Sequence, residues 1–171
     1  EGLKKHLLEC GYIEKELLSL RLLGEKDGRT YDFFRHRLMF PIRDIKGRVV
    51  GFGARALDDS MPKYLNSPQT AIFDKSSILY AVDRAKGAIK EKGLVVIVEG
   101  YMDVIMAHQY GFTNVVASLG TALTEKQVGI VKKLTSKGAV ALDYTKRAVN
   151  KAMNVSVYEA VDYEKNLFSD I

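Results

Sequence analysis

A chain of 171 residues, 47% hydrophobic and 27% charged, has the makeup of one ordinary globular domain or two small lobes, not of a disordered or fibrous polypeptide. No apolar run approaches the ~20 residues of a membrane span, so no membrane partner is expected, and no signal peptide opens the chain, whose start at Glu1 suggests an excised fragment. The single cysteine, Cys10, excludes an internal disulfide and a cysteine-built zinc site and suits a reducing cytoplasm, while the net charge of +5 gains meaning only where basic residues gather with aromatic and amide groups.

Residues 3–10 and 14–23 carry the apolar spacing of two short helices. Leu3, Leu7 and Leu8 share one face, and Leu17, Leu18, Leu20, Leu22 and Leu23 form the next apolar set. Gly11 separates the two, Gly24 is expected as the second helix's C-cap, and 25–30 as a polar loop. Cys10, on an apolar helix edge, reads as a small core residue. Segments 38–42 and 49–52 read as strands around Asp44-Ile45-Lys46-Gly47, a hairpin signal, with Pro41 implying an edge strand or a bulge. Residues 57–72, with Pro62 and Pro68, read as a long loop of the functional or mobile kind. From Leu79 onward the pattern becomes helix 79–91, strand 94–98, helix 102–110, strand 114–117, helix 124–134, strand 139–142 and a helix from about 146. This alternation predicts an α/β unit with a parallel sheet covered by helices, and such sheets place ligands at the carboxyl ends of their strands.

Two acids fall at those ends. Val95-Val96-Ile97-Val98 runs into Glu99, and Ala139-Val140-Ala141-Leu142 runs into Asp143. Gly100 permits a sharp turn, so Asp103, in the first turn of the next helix, can approach the same pocket. Magnesium takes oxygen ligands, usually one or two carboxylates with water and substrate phosphate, and a pair of such ions can activate a hydroxyl and stabilise a leaving pyrophosphate. For Asp103 the alternative is a helix cap.

Basic residues cluster elsewhere. Arg35, Arg37, Arg43, Arg48 and Arg55 lie in or beside the hairpin, and Lys63, Tyr64 and Asn66 follow it. Guanidinium forks match phosphate oxygens and Tyr64 can stack on a base, although an exposed sheet face also carries arginines for solubility alone. The run Gly51-Phe52-Gly53-Ala54-Arg55 can also be a bulged strand. Ser118-Leu119-Gly120-Thr121 is small enough to offer backbone amides to a phosphate, whereas Thr124 with Gln127 fits a capping box. His6, His36 and His108 lack metal-ligand spacing and read as surface or packing residues, and Phe33-Phe34 as core.

In these residues the chain resembles the catalytic core of bacterial DnaG-type DNA primases with their Toprim domain. The resemblance rests on Arg35-His36-Arg37-Leu38-Met39-Phe40-Pro41-Ile42-Arg43-Asp44, on Gly47-Arg48-Val49-Val50-Gly51-Phe52-Gly53-Ala54-Arg55 and on Pro62-Lys63-Tyr64-Leu65-Asn66-Ser67-Pro68. It continues through Phe73, Lys75 and Leu79-Tyr80, then Val98-Glu99-Gly100-Tyr101-Met102-Asp103 and Val116-Ala117-Ser118-Leu119-Gly120-Thr121-Ala122-Leu123-Thr124. It implies a Toprim-type α/β sheet over 79–171, incomplete at its carboxyl end, preceded by a smaller basic α+β lobe over 1–78. It further implies synthesis of short RNA primers from ribonucleoside triphosphates on single-stranded DNA, in a cleft between lobes. Glu99, Asp103 and Asp143 would be catalytic acids holding magnesium or manganese in a two-metal site. Arg35, Arg43, Arg55, Lys63, Tyr64 and Asn66 would handle nucleic-acid or nucleotide phosphates. The family's zinc domain and its contact with the replicative helicase are expected outside this fragment, which itself is expected to carry no zinc.

One departure stands out. The family places a second aspartate two positions beyond the one matched by Asp143, but the row reads Asp143-Tyr144-Thr145, and the family's later Asp-Pro-Asp segment is missing. Either the acid site is degenerate, or residues are missing between Asp143 and Tyr144, the reading favoured here. Two rivals remain: another Toprim enzyme (a topoisomerase or nuclease) and a non-catalytic single-stranded DNA-binding module.

Overall fold

The computed structural model describes residues 2–120 and 122–135, and the chain divides between Ile78 and Leu79 into two compact units. The first unit opens with α1 (Gly2–Glu9), none of whose side chains is buried. The helix is fastened by Asp32, a buried carboxylate whose oxygens accept the N–H groups of Leu3 at 3.2 Å and Lys4 at 2.8 Å. These are donors that a helix start leaves without an intrahelical partner. The Lys4 ammonium adds a bond to Glu14 at 2.9 Å, and Thr30 donates to the same carboxylate. The bond from Thr30, then that from Lys4, holds the Glu14 carboxyl below its ordinary range. Cys10, expected in the core, is exposed.

Helix α2 (Glu14–Ser19) is shorter than its leucine pattern predicts. Arg21 adopts a left-handed φ of 57°, and the chain enters β1 (Leu23–Lys26), which pairs antiparallel with β2 (Arg29–Asp32). The turn between them is Asp27-Gly28, at φ 51° and 70°, the pairing that a tight primed hairpin demands. Gly24 is therefore no C-cap but a strand residue opposite Tyr31. The Tyr31 ring lies over its backbone so closely that a Cβ at Gly24 would stand 2.5 Å from it.

The expected hairpin is present as β3 (Arg37–Arg43) and β4 (Val49–Ala56), and β5 (Tyr64–Asn66) completes an antiparallel sheet with β4 in the middle. Pro41 sits exposed on the edge strand β3, opposite Phe52, where its missing N–H costs nothing. The register passes from Ile42 opposite Gly51 to Arg43 opposite Val49, so β4 is bulged at Val50, just ahead of its glycine-rich run, which itself keeps an unbroken register. Gly51 serves close packing: the Phe73 ring rests on it, 3.1 Å from where a Cβ would stand. The segment read as one long loop thus contains a strand of three residues. Ser67 prolongs it, donating its N–H to the Phe52 carbonyl at 2.8 Å and accepting the Phe52 N–H on its hydroxyl at 2.9 Å.

The second unit follows the predicted order. It comprises α3 (Val82–Lys92), β6 (Val96–Val98), α4 (Tyr101–Gln109), β7 (Val115–Ala117) and α5 (Glu125–Leu134). β6 and β7 are parallel, with Val96 opposite Val115 and Val98 opposite Ala117. Strands of this kind are covered on both faces, which is why they read as unbroken apolar runs. On one side Leu79, Val82, Ala85, Ile89, Val95, Val116, Val131 and Leu134 form the core; on the other, Ala81, Val96, Val98, Val104, Val115 and Ala117. Thr124 and Gln127 form the expected reciprocal cap of α5, with bonds of 3.2 and 3.0 Å. His108 packs at the end of α4 with Nε2 2.9 Å from the Val115 carbonyl oxygen. The strand expected at 139–142 and the helix after it lie outside the described residues. No helix among the described residues is long and apolar enough to cross a membrane.

Candidate active site and basic surface

In the second unit, β6 ends at Val98 and Glu99 follows at once, exposed. Gly100 is the extended N-cap residue of α4, and its N–H donates to Asp103 Oδ2 at 3.2 Å. The cap reading of Asp103 is therefore realised, and it engages one of the two carboxylate oxygens. The turn also ties Asp103 to the residue directly after Glu99. Tyr101, buried in the same first turn, lies with its ring 5.7 Å from that of Tyr80. Burial pushes the Tyr80 hydroxyl up, with Arg84 opposing and Asp83 adding to the shift. After β7 the Ser118 N–H donates to the Val98 carbonyl at 3.2 Å, and Leu119 and Gly120 turn the chain at φ 62° and 78°. The Ser118 amide is thus committed to the sheet rather than to an anion. Thr121 and Asp143 lie outside the described residues.

The two side chains that follow β6 offer carboxylate oxygens, the donor chemistry that suits a hard divalent cation also taking water and substrate phosphate. Among the described residues no three His, Cys, Asp or Glu side chains gather as a metal site. The carboxylates of this turn therefore do not by themselves make a metal site.

In the first unit the basic residues fall into two places. Arg55 and Tyr64 are directly opposite on β4 and β5, with the Arg55 guanidinium 6.0 Å from the centre of the Tyr64 ring. Asn66, opposite Gly53, falls on the same face of the sheet, because side chains two apart along a strand share a face. Lys63 precedes Tyr64, and both are exposed. Arg35, just ahead of β3, is also exposed and stacks over Tyr31 at 4.9 Å. Tyr31, half-buried, thus packs against both Gly24 and the Arg35 guanidinium.

Arg43 is not brought to this group. It sits at the other end of β3 from Arg37, about 20 Å away at the rise of a strand, and its Nη1 donates to the Gly47 carbonyl at 2.7 Å. Arg48 pairs with Asp44 there, Nη2 to Oδ2 at 2.7 Å. Burial alone would raise the Asp44 carboxyl, but the Arg48 side chain and the N–H groups of Arg48 and Lys46 outweigh it and hold the group below its ordinary range. A carboxyl whose folded value is depressed adds stability above its unfolded value and loses it as pH falls through the folded one. The amide proton shifts of Lys46 and Arg48 should therefore be constant from neutral to mildly acidic solution. They should change together only below the ordinary carboxylate range, as an NMR titration would show. Shifts that stay fixed in strong acid would mean that Asp44 does not organise this turn.

Among the residues named from the sequence, the structure adds one function that no local pattern signals. Arg37 bonds to backbone carbonyls more than twenty positions away. Only the pairing of three strands brings those groups together.

Such a parallel pair, with an acid leaving its first strand, is the core of a Toprim domain, and a Toprim domain model matches residues 93–159. The N-terminal domain model of the DNA primase catalytic core matches residues 1–86, and the chain belongs to that primase family. DNA primase from Deinococcus radiodurans is 51% identical over 144 residues, which are 83% of this chain and 25% of that protein. The crystal structure of the RNA polymerase domain of Mycobacterium tuberculosis primase DnaG superposes with a TM-score of 0.77 at 37% identity, covering 82% of this chain and 48% of that one. A DnaG primase catalytic domain bound to single-stranded DNA superposes at 0.66 and 46% identity, covering 70% of this chain and 39% of that one. The chain spans about a quarter of the length of the curated relatives it matches.

Proposed function

We propose that this chain forms part of the polymerase core of a primase that makes short RNA primers on single-stranded DNA. The observation that carries the reading is the exit of β6: Glu99 exposed beyond a parallel strand, and Asp103 bonded to the N–H of the next residue, Gly100. Family membership supports it, as does the single-stranded DNA bound by a similar catalytic domain. Residues 79–171 would be the Toprim part and 1–78 the basic lobe.

The reaction joins a primer 3′-hydroxyl to the α-phosphate of an incoming ribonucleoside triphosphate and releases pyrophosphate. Glu99 and Asp103, with Asp143, would hold magnesium or manganese, as one ion or two. Bound there, such a cation neutralises developing charge on the phosphate oxygens. Little bond-making falls to the side chains themselves, so their contribution is to orient reactants and offset charge. Arg55, Lys63 and Tyr64 would hold template or nucleotide by phosphate contacts and base stacking, with Arg35 on its tyrosine and Asn66 beside them. Arg43, tied to its hairpin turn, would contribute with its remaining donors.

The full-length protein, given circular single-stranded DNA, four ribonucleoside triphosphates and magnesium or manganese, should yield short labelled RNA. Relaxation or cutting of supercoiled plasmid without RNA product would point to another Toprim enzyme. DNA binding without any product would leave only a binding module.

A further inference from the structure

The loop from Leu57 to Lys63 carries the most exposed stretch of the first unit, yet it must deliver Lys63 and Tyr64 to a fixed place. Its ends are pinned by backbone bonds. The Leu57 N–H donates to the His36 carbonyl at 3.1 Å, and the Ala56 N–H to the Lys63 carbonyl at 2.8 Å. The second bond extends the β4–β5 ladder one step beyond Arg55 and Tyr64. On the opposite side of Ala56 the ladder partner is Arg37. Arg37, Ala56 and Lys63 therefore form one row across the sheet.

Ala56 offers only a methyl group in the middle of that row. The Arg37 side chain crosses it, and Nη1 donates to the Pro62 carbonyl at 2.8 Å and lies 3.5 Å from the Lys63 carbonyl. A guanidinium suits this task, since its donors diverge in a rigid plane and bonds from a charged donor are stronger than neutral ones. Both acceptors are main-chain groups of the residues that present Lys63.

We infer that Arg37 is a positioning residue: it clamps the Pro62–Lys63 backbone so that the Lys63 ammonium meets nucleic-acid phosphate, and makes no phosphate contact of its own. The inference rests on the reading of Lys63 as a phosphate ligand. It gives Arg37 a task different from that of Arg35 and Arg55.

A double-mutant cycle in the full-length protein tests it. Single-stranded oligonucleotide binding is measured by anisotropy across a salt series for wild type, Lys63→Ala, Arg37→Met and the double variant. Each single variant should weaken binding about tenfold and lower the slope of log affinity against log salt by about one, as for one lost phosphate contact. The double variant should be no worse than Lys63→Ala, because both changes remove the same contact. Losses that multiply, with the slope falling by about two, would show that Arg37 grips phosphate independently and overturn the inference. Wild-type binding by Arg37→Met would overturn it as well. Wild-type binding by Lys63→Ala would instead strike the reading of Lys63, and the clamp would fall with it. If Arg37→Met does not fold, Arg37→Lys replaces it in the same cycle: a loss that does not add to Lys63→Ala supports the clamp, and an additive loss or none overturns it.

Discussion

We expect Glu99→Gln to abolish primer synthesis on single-stranded DNA, by at least ~10²–10³-fold, the scale on which loss of one charge-stabilising group is felt in a polar active site. Template affinity should remain nearly that of wild type. The substitution keeps size and one carbonyl oxygen but removes the charge that would hold a cation. Glu99 is exposed just beyond β6, so its replacement leaves the packed strands untouched. Asp103 would make a poorer probe, because its carboxylate also accepts the Gly100 N–H at the start of α4. Dinucleotide formation and oligonucleotide anisotropy on the same preparation separate the two readouts. A Glu99→Gln protein that primes at the wild-type rate would remove the acid from the mechanism.

Phe73→Ala should produce the largest loss of stability in the first unit, about 3–5 kcal/mol, the range for deleting a buried phenyl ring. Phe73 is 1% exposed and lies flat on Gly51 of the central strand β4. Removing the ring deletes its buried surface and leaves a hole that Gly51, having no side chain, cannot fill. Urea unfolding followed by near-ultraviolet circular dichroism would report the change. A shift below about 1 kcal/mol would show that the ring is not the anchor of the segment returning from β5. Because Arg55 sits on β4 too, a loosened sheet should also weaken oligonucleotide binding.

The second unit was legible because its strands are buried on both faces. Val95 to Val98 and Val115 to Ala117 stand out as apolar runs without polar alternation, and Glu99 marks where the first of them meets water. The Thr124–Gln127 cap was legible for an equally local reason, since both partners lie within one turn. The first unit resisted where short-range signals competed. Leu17 to Leu23 suggested one helix, but the leucines serve two elements, and Arg21 in a left-handed conformation divides them. The deciding signal was Asp27-Gly28, a hairpin turn that outweighs a run of leucines. β5 was missed because three residues between prolines give no periodicity. Cys10 misled because helix α1 buries no side chain, so that an apolar edge there is not a core. Arg43 and Arg37 are indistinguishable from their neighbours in sequence. Their carbonyl partners are fixed by hairpin closure for one and by sheet order for the other. The expected convergence of acids from two strands pairs Glu99 with Asp143, which lies outside the described residues; Glu99 and Asp103 both belong to the single turn from β6 into α4.

The fastening of α1 has a thermodynamic corollary. A helix docked by hydrocarbon leaves a large heat-capacity increment when it detaches, because apolar surface becomes hydrated. Here the attachment is a carboxylate receiving two main-chain amides, with a lysine bonded to a second acid close by. Polar surface contributes to that increment with the opposite sign. Undocking of α1 would therefore add little to the heat-capacity change of unfolding, unlike exposure of the buried cores.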